Sequence, residues 1–185
     1  MGRGTRIREP ERKEYPQPPE GLHSAVCADV WEIWTEQQSE EFGGGLVDKT
    51  RIVWQIDQTY KDEKTGTELR YEVMMTYTAN LDERSNIRKM LKSWRGRDFT
   101  KEELLDFELE TIVGANCQLQ IIHHISRKGK KYAKVMSVIP IRKNDEKMIV
   151  SSDFVRKRDR KRDDNYSQAP AEPDDFVATD DDVPF

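Results

Sequence analysis

Residues 82–105 read DERSNIRKMLKSWRGRDFTKEELL, and here the apolar spacing changes from every second residue to every third or fourth. Ile87, Met90, Leu91 and Trp94 fall at i, i+3, i+4 and i+7, one face of an amphipathic helix, with Arg88, Lys89 and Lys92 on the others. Arg95-Gly96-Arg97 breaks that pattern. Thr100 and Glu103 then stand at capping-box spacing before Leu104 and Leu105, which predicts a second, short helix.

On either side of this insert the period is two. Residues 22–34 are rich in Val, Ile and Trp. Val26, Ala28 and Val30 alternate against Asp29, and Trp31 and Ile33 continue on the opposite phase, so one long strand with a bulge or sharp bend is expected. A polar loop over residues 35–45 ends in three glycines. It leads into a second strand over 49–58, with Ile52, Trp54 and Ile56 on one phase. After a polar turn, residues 69–78 form a third strand with Tyr71, Val73, Met75 and Tyr77 on one face, completing an antiparallel meander. Beyond the helical insert, Cys117, Leu119, Ile121, His123 and Ile125 alternate. A basic turn then joins them to a partner strand over 132–141, and residues 148–155 suggest an extra edge strand. Three strands, a helix and two strands are the element order of the OB-fold, a five-stranded Greek-key barrel. The expected fold class is therefore all-β with a helical insert between strands 3 and 4.

Residues 1–20 and 156–185 hold too little apolar matter to offset the entropy of ordering. They are expected to be a flexible arm and a disordered basic-then-acidic tail around one domain at 21–155. The net charge of -4 hides an asymmetry. Eight of the 35 acids lie in residues 163–185, which contain no Lys or Arg, so the first 162 residues carry 31 bases against 27 acids. A basic body joined to an acidic tail suits a nucleic-acid surface plus an interaction segment. Cys27 and Cys117 read as small core residues of a reducing compartment. With no apolar run of membrane-spanning length and no secretory leader pattern, a cytoplasmic protein with no membrane partner is expected.

Binding of single-stranded DNA needs cations for phosphates and flat rings for bases. The candidate rings are Trp31, Trp34, Trp54, Tyr60, Tyr71 and Tyr77, and Trp34 and Tyr60 stand out because they lie at strand ends. The candidate cations are Arg51, Arg70, Arg127, Lys128, Lys130 and Lys131, joined by Arg88, Lys92, Arg95 and Arg97 of the helical insert. The insert has two compatible readings: its apolar face plugs the sheet, and its Arg-Gly-Arg loop meets phosphate. The basic run at 156–162 is either further phosphate contact or a solvated linker. His23 with Cys27, and Cys117 with His123 and His124, lack zinc-site spacing. No catalytic residue, metal site or cofactor is predicted.

The run SNIRKMLKSWRGRDFTKEEL, preceded by YTANLDE and followed by VGANCQLQIIHHISRKGKKYAKVMSVIPI, resembles a family of bacteriophage- and prophage-encoded OB-fold single-stranded DNA-binding proteins. The likeness extends from about residue 18 to residue 141 and implies a role in viral DNA replication or recombination. The last residues, Asp180, Asp181, Asp182, Val183, Pro184 and Phe185, resemble the acidic tip of bacterial single-stranded DNA-binding proteins, with Val183 where Ile is common. A terminal ring beside a free carboxylate suits an apolar pocket with a basic rim. The sequence thus predicts a non-catalytic protein that coats and protects single-stranded DNA in replication, recombination or repair. Its tip would recruit replication or repair partners, and the sequence is compatible with an oligomer. The alternatives are an adaptor that captures host replication proteins without binding DNA, and a small metal-dependent nuclease or annealing recombinase.

Overall fold

Ile52, Trp54 and Ile56 alternate with Arg51, Val53 and Gln55, and the strand that carries them is the spine of an antiparallel sheet. The computed structural model describes residues 16–126 and 129–160. Its elements run β1 (Gly21–Val30), β2 (Trp34–Gln37), β3 (Leu46–Lys61), β4 (Glu68–Thr78), α1 (Asn86–Arg95), α2 (Lys101–Leu105), β5 (Asn116–Ile125) and β6 (Lys131–Pro140). The sheet order is β2-β3-β1-β5-β6, with β4 also paired to β3. Lys49 pairs with both Trp34 and Thr78, and Ile52 with both Val30 and Met75, so β1 and β2 follow one another along one edge of β3 while β4 takes the other.

Six strands therefore stand where five were expected, because the predicted 22–34 strand is broken. The β1–β3 register shifts between Cys27 and Asp29, which is the anticipated bulge. β1 then stops at Val30. The Trp31 N–H bonds to the Arg51 carbonyl at 2.8 Å, and the chain resumes the edge of β3 as β2. Residues 148–155, read as an edge strand, are not a strand. They form an irregular segment held mainly by side chains of the sheet.

The inward phase of β3 meets Ala25, Cys27, Val73, Met75, Cys117, Leu119 and Ile121 in one apolar core. α1 closes it by packing on β6 and β4, the sheet's two outer strands, which also approach each other. Its buried residues are the four that set the helical spacing: Ile87, Met90, Leu91 and Trp94. Ser85 caps its N-terminus and Gly96, at φ +68°, ends it in the left-handed region where a side chain is strained. The Trp94 indole N–H donates to the Asn116 carbonyl at 2.9 Å and Ser93 Oγ to the Val138 carbonyl at 2.8 Å, tying the helix to the second half of the sheet. The Thr100–Glu103 capping box of α2 is formed in both directions. Cys27 and Cys117 are free and buried, and desolvation pushes the Cys27 thiol up to about 12.

β1 is covered on both faces. Val26 and Ala28, on the phase opposite the core, are 0% and 1% exposed, and Val53 and Gln55 beside them on β3 are 3% and 2%. The cover is the chain after β6. Asn116 exchanges two hydrogen bonds with the Met148 backbone, at 2.6 and 2.9 Å, and Gln55 bonds Ser151 through both its amide nitrogen and its oxygen. Farther on, Arg156 donates to Asp29 at 2.7 Å and to both oxygens of Glu110. Residues 156–160, assigned to the tail from sequence, thus begin with an anchored residue. At the other end, Pro18 is buried and its carbonyl lies 2.7 Å from His123 Nε2, so residues 16–20 of the expected arm lie against the sheet.

Candidate nucleic-acid interface

The break between β1 and β2 brings two indoles together over β3. Trp31 and Trp34 are half-buried, with ring centroids 6.3 Å apart and planes inclined at 54°. The Arg51 guanidinium lies 4.5 Å from the Trp31 ring centre and 5.8 Å from that of Trp34. Lys157 Nζ stands 3.8 Å over Trp31. Arg51 is 8% exposed and its Nε donates to Thr76 Oγ1 at 2.9 Å, so it serves as a fixed charge beneath the rings rather than as a solvent-facing phosphate ligand. Burial and the neighbouring Arg51 charge lower the pKa of Lys157 from the ordinary lysine value. Two cations thus converge on two tilted indoles, with the carboxylates of Asp29 and Glu32 near enough to Lys157 to act on its charge.

A second ring pair lies at the other end of β3. Tyr60 and Tyr71 have centroids 4.9 Å apart, and Arg70 beside them donates through Nη1 to the Ile149 carbonyl at 2.6 Å. Eight residues of β3 separate Arg51 from Tyr60, at most roughly 30 Å of extended chain. Tyr71 shares the inward phase of β4 with Val73 and Met75 and packs against the core, whereas Arg70 takes the outward phase opposite Thr59, so of this group only Arg70 belongs to the outer surface that carries Arg51.

Other predicted residues fall elsewhere. Trp54 is completely buried and packs on Trp94 with centroids 6.1 Å apart. Tyr77 is 6% exposed in the same core. Neither ring can reach a base, because each shares the inward phase of its strand with Ile52 and Ile56 or with Val73 and Met75. The basic residues of the helical insert are spoken for by two carboxylates. Arg88 and Lys92 meet Asp98, at 3.5 and 2.8 Å, while Arg95 and Arg97 both bond Glu103. Arg95 is further packed 4.5 Å from the Phe99 ring centre. The Arg-Gly-Arg stretch thus forms a brace between α1 and α2. Arg97 and Lys92 retain about half their surface. Lys130 and Lys131 are exposed at the β5–β6 turn, whereas Arg127 and Lys128 lie outside the described residues, as do Asp180, Asp181, Asp182, Val183, Pro184 and Phe185.

The brace has a pH signature. Hydrogen bonds from Arg97, the Thr100 backbone and Arg95 hold the Glu103 carboxyl down at about 2. Bonds from Lys92 and the Phe99 N–H do the same for Asp98. A depressed carboxylate stabilises the fold above its unfolded pKa, and that contribution disappears as pH falls through the folded value. Loosening of the α1–α2 corner is therefore expected between about pH 4.5 and pH 2, reduced by added salt because Asp98, Lys92 and Arg97 are exposed. Far-ultraviolet circular dichroism across that range, with a Glu103→Gln variant showing a flatter profile, would check it.

Lys157 and the Asp29–Arg156 pair are components that sequence reasoning missed. The one signal was the basic run at 156–162, which carries no periodicity to show where it docks. Among the described residues no group of three or more His, Cys, Asp or Glu is placed to hold a metal ion, and no helix is long and apolar enough to cross a membrane. No protein-family model matches the chain, and no curated protein is significantly similar to it.

Proposed function

We propose that the chain is a single-stranded DNA-binding protein of OB-fold type that engages DNA along the outer surface of β3 and β4. The observation that carries this reading is the pair of half-buried indoles, Trp31 and Trp34, with Arg51 and Lys157 against their faces. The strand pairings support the fold assignment. β1 pairs with both β3 and β5, β5 with β6 and β3 with β4, and the helix between β4 and β5 packs on β4 and β6, which approach without pairing, an arrangement that suits a partly open Greek-key barrel. In that architecture the middle strands and adjoining loops bind oligonucleotides. Arg70, on the outward phase near the other end of β3 and β4, extends the same surface.

On this reading bases stack on the exposed ring faces. Lys157, Arg70 and the turn residues Lys130 and Lys131 neutralise phosphates, releasing counterions with little dependence on sequence. The acidic tip ending in Phe185 recruits replication or repair proteins, most simply in the viral setting that the sequence resemblance implies. Fluorescence anisotropy of a labelled thymidine oligonucleotide tests the reading. Saturable binding that weakens steeply with salt, together with much weaker binding of a duplex of equal length, is expected. Salt-insensitive binding, or preference for the duplex, would contradict it.

A further inference from the structure

The surface proposed for DNA is partly occupied by the protein's own chain. Residues 148–155 cross the outer face of β1, β3 and β4 between Arg70 and the Trp31–Trp34 pair. They and Lys157, two residues beyond, occupy groups that a nucleic acid would otherwise engage. The Ile149 carbonyl fills the Arg70 guanidinium as a phosphate oxygen would, and Lys157 occupies the Trp31 ring face where a base would lie. Beneath the segment are Val26, Ala28, Val53 and Gln55, a flat apolar strip with one amide.

Three features distinguish this cover from an integral part of the fold. It makes no strand ladder, so its main-chain groups are held by side chains of Asn116, Gln55 and Arg70. Two of its apolar residues are poorly seated, Ile149 at 79% and Val155 at 49% exposed, while Met148, Val150 and Phe154 are half-buried. A groove of about 410 Å³ also remains open between residues 149–153 and Thr59, Glu68 and Arg70. The end at Arg156 is different. Its guanidinium is fixed to Asp29, whose side chain is 2% exposed, and to Glu110, and the Lys157 N–H donates to Asp29 as well.

We infer that residues 148–155 are a displaceable cover, hinged at Arg156, that single-stranded DNA must lift to reach the β3–β4 surface. This rests on the DNA-binding reading above. Binding then selects the uncovered state, and apparent affinity is reduced by the fraction of molecules in which the cover is closed. As DNA enters, the Lys157 ammonium passes from the Trp31 ring to a phosphate, so its charge is reused rather than lost.

The test combines a charge-neutral variant with an exchange measurement on the unaltered chain. Asn116→Ala with Ser151→Pro removes the hydrogen bonds to the Met148 and Ser151 backbones without touching the rings or cations. It is expected to bind a thymidine oligonucleotide about tenfold more tightly. In the full native chain, amide hydrogen exchange over residues 148–155 is expected to accelerate when the oligonucleotide saturates it. If the oligonucleotide binds but those amides become more protected and the variant gains no affinity, the cover is part of the bound surface. In that event the inference falls while the DNA-binding reading stands. If neither form binds the oligonucleotide, both fall. Binding by the variant alone would support the inference most strongly.

Discussion

Truncating both indoles at the β1–β2 break, Trp31→Ala with Trp34→Ala, is expected to cost about 5- to 150-fold in single-stranded DNA affinity for each ring that stacks on a base. The effect should fall on binding and spare the fold, because both side chains lie outside the apolar core that joins the strands to α1. Two controls follow from the geometry. Arg51 loses a cation–π partner when the rings go but keeps its bond to Thr76, so the sheet remains supported. The salt dependence of the residual binding should be nearly unchanged, since the phosphate-neutralising cations are still present. Anisotropy titrations at two salt concentrations, read beside urea denaturation midpoints, separate these effects. A variant that loses stability in step with affinity would show that the rings serve packing instead.

Trp54→Ala is expected to behave in the opposite way. Its side chain has no exposed surface, it stacks on Trp94 of α1, and its strand neighbours Ile52 and Ile56 are equally buried. Removing it leaves a cavity at the junction of β3 and α1 and should lower unfolding free energy by about 3–5 kcal/mol. Because small domains are typically stable by only about 5–15 kcal/mol, such a variant sits near the edge of folding. Denaturant titration should show the loss. At a temperature where the variant is still folded, its DNA affinity should stay close to that of the parent. A large drop in affinity with unchanged stability would move Trp54 back among the DNA-contacting rings and overturn its place in the core.

The contrast between Trp31 and Trp54 shows what the sequence could and could not reveal. Alternation over residues 49–58 and 69–78 located β3 and β4, and the i, i+3, i+4, i+7 spacing of Ile87, Met90, Leu91 and Trp94 located α1. In each case a whole element obeys one period. The same alternation already put Trp54 in phase with Ile52 and Ile56, and Tyr77 in phase with Val73 and Met75. Their burial follows from that phase, whereas aromatic identity alone suggested a role in stacking. β1 was harder because both of its phases are apolar, and only the packing of residues 148–155 explains why Val26 and Ala28 are as buried as Ala25 and Cys27. That segment has no period of its own. Its contacts to Asn116, Arg70 and Gln55 span 32 to 96 positions of sequence, so no local pattern could announce them. The Arg-Gly-Arg motif was legible as a break after α1. Its pairing with Glu103 depended on how α2 folds back, a tertiary fact.

Intrinsic tryptophan fluorescence titrated with a thymidine oligonucleotide reports on the Trp31–Trp34 surface itself. The chain has four tryptophans, of which Trp54 and Trp94 are buried together in the core while Trp31 and Trp34 lie half-exposed at the proposed surface. Saturable quenching is expected in the unaltered chain, and its disappearance in a Trp31→Phe, Trp34→Phe variant that still binds. No quenching of the unaltered chain at saturating oligonucleotide, or quenching that persists in full in that variant, would contradict the assignment of this surface to single-stranded DNA.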